Sequence, residues 1–111
     1  MNFYFYTPKE DINDPIADYM RLTKEVLPSM ARNDPSNWPV SQDHCFQRIV
    51  LDNICGGDWH QHLDRPAYKN LTKEQARTAV RLCHDIADGR ADLKQLNKQS
   101  LIWRGKLQLK A

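Results

Sequence analysis

The sequence predicts an all-α fold, about four helices in an irregular bundle with two long packed loops. Three observations predict it. Apolar residues recur at helical spacing in four separate stretches, most of them opening on a capping side chain or closing on glycine. The glycines fall between those stretches and never inside them. The strand-like run at residues 2–6 finds no evident partner, the tail 104–111 reads as a short strand or a frayed end, and there is no repeat or low-complexity segment. With 111 residues, the chain is read as a single helical domain, 1–111, able to bury a real but modest core.

Residues 2–6, N-F-Y-F-Y, read as a short N-terminal edge strand or as an arm with Phe3 and Phe5 turned inward, ended by Thr7-Pro8. Asp14-Pro15 opens the first helix, a capping carboxylate followed by proline at the first helical position. Its inner face is Ile16, Tyr19, Met20, Thr23, Val26 and Leu27, and Pro28 is expected to kink or end it. Residues 31–40 make the first long loop, stiffened by Pro35 and Pro39, with Trp38 folding back to hide its indole.

The stretch that organises the chain is 41–62, a helix stopped by Gly56-Gly57 and followed by a polar turn. Cys45, Phe46, Ile49, Val50 and Ile54 share one broad side, with Asn53 among them needing hydrogen-bond partners, and Leu51 points the other way. A helix apolar on more than one face belongs in the middle, with neighbours around it. Ser41 is the expected N-cap and Gly56 the left-handed stop.

The second long loop, 56–71, leads to a capping box at Thr72 and Gln75. The helix that follows carries the cleanest stripe, Ala76, Ala79, Val80, Cys83, Ile86 and Ala87, and its alanines suit close docking on the central helix. A last helix is expected over 91–103 with Leu93, Leu96, Leu101 and Ile102 inside.

Several function classes are excluded early. A mean hydropathy of −0.73 and the lack of any long apolar run rule out a membrane-spanning reading. The start M-N-F-Y-F-Y lacks the basic lead of a secretory signal, so a cytoplasmic protein is expected. A net charge of +2 does not by itself announce nucleic acid. Three cysteines without paired spacing argue against a disulfide framework, and Cys45 and Cys83 read as core thiols.

Six constellations carry the chemistry to be weighed. On the central helix, His44, Arg48, Asp52 and Cys55 form one polar stripe that runs into Asp58, Trp59, His60 and His62. This is the expected binding surface; the plain alternative is an Arg48–Asp52 ion pair one turn apart, contributing a few tenths of a kcal/mol. The same turn offers His44, Asp58, His60 and His62, with Cys55, as metal ligands, although neither C-x-x-C nor H-E-x-x-H is present. His84-Asp85, with an earlier histidine and Asp92, suggests a metal-dependent hydrolase, on a chain short for one. Cys55 and His44 are separated by about 16 Å of helix rise, which removes a direct nucleophile–base pair; Cys55 beside His60 stays open, although the negative helix end disfavours a thiolate there. Lys94, Lys98, Trp103, Arg104, Lys106 and Lys110 make a basic C-terminal segment fit for nucleic acid. Finally, Trp38, Trp59, Tyr68, Trp103 and the aromatic start exceed what helical stripes require, and large aromatics are what protein interfaces use.

The expectation drawn from these is a binding protein rather than an enzyme, with no catalytic residue assigned. It acts through a protein partner or self-association; nucleic-acid binding and a metal-dependent hydrolase are the alternatives. No motif calls for a cofactor, and a divalent metal enters only through the histidine-rich turn.

Overall fold

The computed structural model describes residues 14–107, which hold helices and turns and no strand. The aromatic run 2–6 and Lys110 lie outside the described residues.

Helix α1 (Pro15–Arg21) starts as expected, the Asp14 carboxylate accepting from the Ile16 amide at 3.0 Å. It does not stop at Pro28. The chain passes through a π-helical turn, Leu22–Val26, and continues as α2 (Leu27–Arg32) with Pro28 buried in its first turn. Proline lacks the amide hydrogen and crowds the carbonyl four residues back. A wider turn directly before it relieves that crowding, here closed by the Leu27 amide on the Leu22 carbonyl. The extra residue in the turn also shifts the inner face, so Leu22 is buried alongside Tyr19, Thr23, Leu27 and Ala31. Trp38, in the loop beyond, meets Phe46 edge-on at 5.9 Å between ring centres.

Helix α3 (Asp43–Cys55) lies at the centre. Phe46, Ile49, Val50, Leu51 and Asp52 are all buried, and at 100° per residue these five point to nearly every side of the helix. That is possible only because α6, the π turn, α5 and α2 each cover part of it. The residue before the helix is Gln42, not Ser41, and it makes no side-chain cap; the Asp43 carboxylate takes the His44 amide instead, at 2.7 Å. Gly56 ends α3 in the left-handed region at φ 75°. Asn53 finds its partners: its amide nitrogen donates to the Ile49 carbonyl at 2.8 Å and, across to α6, to the Leu96 carbonyl at 3.1 Å.

The second loop is built from short turns, a 3₁₀ turn at Trp59–Gln61 and α4 (Ala67–Asn70). Helix α5 (Lys73–Ala87) opens on the expected capping box, with both reciprocal bonds of Thr72 and Gln75 formed. Ala76, Ala79, Cys83 and Ile86 are its buried face. They let α5 lie closely along α1 and, less extensively, against α3, where the sequence alone favoured α3. Burial pushes the Cys83 thiol up to about 12, so it behaves as a core apolar group. Cys45 is only half-buried.

Helix α6 (Leu93–Trp103) is capped by Asp92 and packs on α3. Leu93 and Leu96 are half-buried, but the residue at the centre of the contact is Ser100, fully buried, with Leu101 and Ile102 to its sides. The α3–α6 seam is polar, and that positions the candidate site.

Candidate functional site

At the centre of that seam, Asp52 is a fully buried carboxylate. Four donors reach it. Oδ2 accepts from Ser100 Oγ at 2.6 Å and Arg104 Nε at 2.7 Å; Oδ1 accepts from the Trp59 amide at 2.9 Å and Arg104 Nη2 at 3.0 Å. A carboxylate has about four acceptor positions, so every one is filled. Its backbone contributes as well, the Asp52 carbonyl accepting from the amides of Gly56 at 2.8 Å and Gly57 at 3.1 Å. One residue therefore closes α3 through its main chain and fixes the following turn and the end of α6 through its side chain.

The network continues outward on both sides. Ser100 Oγ, while donating to Asp52, accepts from Arg48 Nη1 at 2.8 Å, and Arg48 Nη2 donates to Asn97 Oδ1 at 2.8 Å. The other way, Arg104 Nη2 lies 3.2 Å from Asp58 Oδ1. Asp58 Oδ1 also takes the His60 amide at 3.1 Å and lies 2.9 Å from His60 Nδ1, whose ring stacks on Trp59 at 3.8 Å. Two guanidiniums thus balance two carboxylates. Hydrogen bonding to Asp52 raises Arg104 above its ordinary value against desolvation, with the charges of Asp52 and Asp58 adding to it. For Asp58, partial burial pushes upward, but the ring and backbone hydrogen bonds from His60 and the charge of Arg104 outweigh it and hold the carboxyl below its ordinary value. Partial burial, together with the Asp52 charge, raises the Cys55 thiol.

Beside this network lies an open groove of about 560 Å³. Tyr19, Met20 and Leu51 contribute apolar walls from α1 and α3; Trp59 and His60 come from the 3₁₀ turn, and Arg65 to Tyr68 from the segment entering α4. Lys24, Arg48, Arg65 and Arg104 bring four permanent cations to its walls, and among the described residues no Asp or Glu lines it. Tyr68 stands at 39 % exposure, one of the few large apolar side chains so open among the described residues.

The structure brings together some of the expected surface and separates the rest. His44, Arg48, Trp59 and His60 line the groove. Asp52 does not belong to a surface at all; it is sealed beneath α6. Nor does it pair with Arg48, because Ser100 stands between them, so the simple one-turn ion pair is replaced by a relay through a hydroxyl. Asp58 links the network to the turn, while Cys55 is half-buried and outside the groove walls. His62 is turned toward Gly57, where an added Cβ would come within 3.3 Å of its Nε2.

Among the described residues no three His, Cys, Asp or Glu side chains converge as a metal site. The set His44, Asp58, His60 and His62 is split: the His44 ring is 3.8 Å from Asp43, and only Asp58 and His60 meet. The basic C-terminal segment is split too. Lys94, Lys98, Trp103 and Lys106 are exposed, but Arg104 is turned inward onto Asp52.

Ser100, Asn97, Arg65, Tyr19 and Gln47, which also lines the groove, are among the site residues that sequence reasoning missed. For Ser100 and Asn97 a signal exists. Leu93, Leu96, Asn97, Ser100 and Arg104 follow helical spacing, so the inner stripe of α6 turns polar halfway along. For Arg65 there is none, since only the course of the second loop carries it to the groove. No protein-family model, curated protein or solved structure matches this chain.

Proposed function

We propose that this chain is a small cytoplasmic binding protein whose partner protein seats in the groove between α1, α3 and α4. The observation that carries the reading is the composition of the groove: aromatic and aliphatic walls crossed by Arg side chains, the residue types that interface centres favour. The rigid polar seam behind it supports the same reading. Asp52 and Asp58 engage Ser100, Arg104 and His60, which leaves them holding the walls in place rather than poised for proton transfer. Among the described residues no helix is long and apolar enough to cross a membrane.

The test is photocrosslinking in the cells that make the protein, with a benzophenone amino acid replacing Tyr68 on the groove or Arg81 on the exposed side of α5. A discrete protein adduct from position 68 and none from position 81 is the expected result. Equal labelling from both positions, or no adduct from position 68, overturns the reading.

A further inference from the structure

We infer that the groove receives an acidic segment of the partner, its carboxylates meeting Arg48 and Arg65 while the side chains between them lie against Trp59 and Tyr68. This rests on the protein-binding reading and adds the chemistry of what is bound. The argument begins with which cations already have counter-charges. Of the four at the groove, Arg104 is neutralised by Asp52 and Asp58, and Lys24 sits 3.4 Å from Asp43. Arg48 is different. Its partners are the Ser100 hydroxyl and the Asn97 amide oxygen, both uncharged, and they use two of its five N–H donors. Arg65 makes no hydrogen bond or ion pair among the described residues. Among the described residues Arg65 therefore faces the recess with no counter-charge, and beside it Arg48, half-buried and joined to the carboxylates only through Ser100, keeps N–H donors for an anion.

The apolar content of the walls selects among anions. Tyr19, Met20 and Leu51 line the groove beside the cations, which suits a chain that alternates carboxylates with apolar side chains. A nucleic-acid strand fits less well. The Trp59 ring is already stacked by His60 at 3.8 Å, which leaves it one face rather than two. The Arg104 guanidinium that would extend the basic track toward α6 is bound to Asp52.

The charge requirement is tested with the full-length protein by fluorescence anisotropy. The probes are a labelled short peptide alternating Glu with Leu and Phe, the same peptide with Lys for Glu, and a short oligo(dT). The variants are Arg65→Glu and, as a control on α5, Arg81→Glu; both positions are exposed, and among the described residues neither makes a hydrogen bond or ion pair. The acidic peptide is expected to bind and the Lys peptide not. Arg65→Glu should weaken the acidic peptide about tenfold, and Arg81→Glu no more than about twofold. No binding of the acidic peptide up to about 1 mM, or binding indifferent to Arg65→Glu, overturns the inference. Tighter, Arg65-dependent binding of oligo(dT) overturns it as well, in favour of nucleic acid. If the position-68 adduct forms while the charge results fail, the partner still seats in the groove and only its acidic character is wrong. If that adduct is absent, the binding reading falls with it.

Discussion

The Asp52 carboxylate takes both Nε and Nη2 of Arg104, at 2.7 and 3.0 Å, across 52 residues of chain. Arg104 is the residue that ends α6, so this pair anchors the end of one helix to the last turn of another. Removing one member of a buried pair leaves the other charge without compensation, a loss of roughly 3–5 kcal/mol. Asp52 keeps the Ser100 and Trp59 donors, which places Arg104→Ala near the lower end, about 3 kcal/mol. Arg104→Lys, unable to reach both oxygens in one plane, should fall between. Urea unfolding decides it. A loss below about 1 kcal/mol for Arg104→Ala would show that the pair behaves as an exposed one.

Ser100 is where the two arginines are coupled, since its hydroxyl accepts from Arg48 and donates to Asp52. Alanine in its place keeps the packing but leaves a buried carboxylate short of one donor and Arg48 short of one acceptor. The expected loss is about 2 kcal/mol. Ser29→Ala, at an exposed position, should change nothing measurable. If both variants unfold at the same urea concentration as the parent, the relay contributes no stability.

Asp58 sets the acid limit of the turn. Its carboxyl is held below the ordinary value in the folded chain, so folding favours the deprotonated form. That contribution is present above about pH 4, the unfolded value, and is lost as the pH falls through the lowered folded value. Stability should therefore decline on the acid side, and Asp58→Asn should flatten the decline while reducing stability at neutral pH. Asp43 is lowered as well, through the His44 amide and Lys24, but it is exposed, and its share should fade with added salt. Urea midpoints between about pH 5 and pH 2.5, with and without Asp58→Asn, are the measurement; parallel curves would mean that Asp58 does not carry the effect.

What could be read from the sequence was the placement of apolar faces and helix ends; what could not was the direction of the polar ones. Phe46, Ile49, Val50 and Leu51 required a central α3 because no single neighbour covers all their directions. Thr72 with Gln75, Asp14 with Pro15, and Gly56 announce helix ends through purely local chemistry. Asp52 defeated the same reasoning because a carboxylate on a polar stripe looks solvated until its partners are known, and Arg104 lies far away in sequence. The π turn before Pro28 was hidden for a related reason: proline signals a break, and the longer turn that accommodates it leaves no mark of its own in the pattern. The groove was half visible. Trp59, His60 and Arg48 were on the expected surface, while Arg65 and Tyr19 reach it only through the tertiary fold.

Gly56 offers the sharpest check on how the turn is built. It sits at φ 75°, and an added Cβ would meet nothing within 4 Å, so any cost of Gly56→Ala comes from the backbone alone. A left-handed residue bearing a Cβ costs roughly 1–2 kcal/mol, and asparagine, which tolerates that region better, should lose less. The consequence extends beyond stability. The Gly56 and Gly57 amides both bond to the Asp52 carbonyl, and the Trp59 amide bonds to its carboxylate, so a displaced Gly56 pulls on the segment that carries Trp59 into the groove. Gly56→Ala should thus lower the urea midpoint and also alter the Trp59 fluorescence of the folded protein. Trp38→Phe and Trp103→Phe variants, made singly and together, isolate that signal. A variant destabilised by the expected amount but with an unchanged Trp59 spectrum would show that the helix stop and the groove wall are independent.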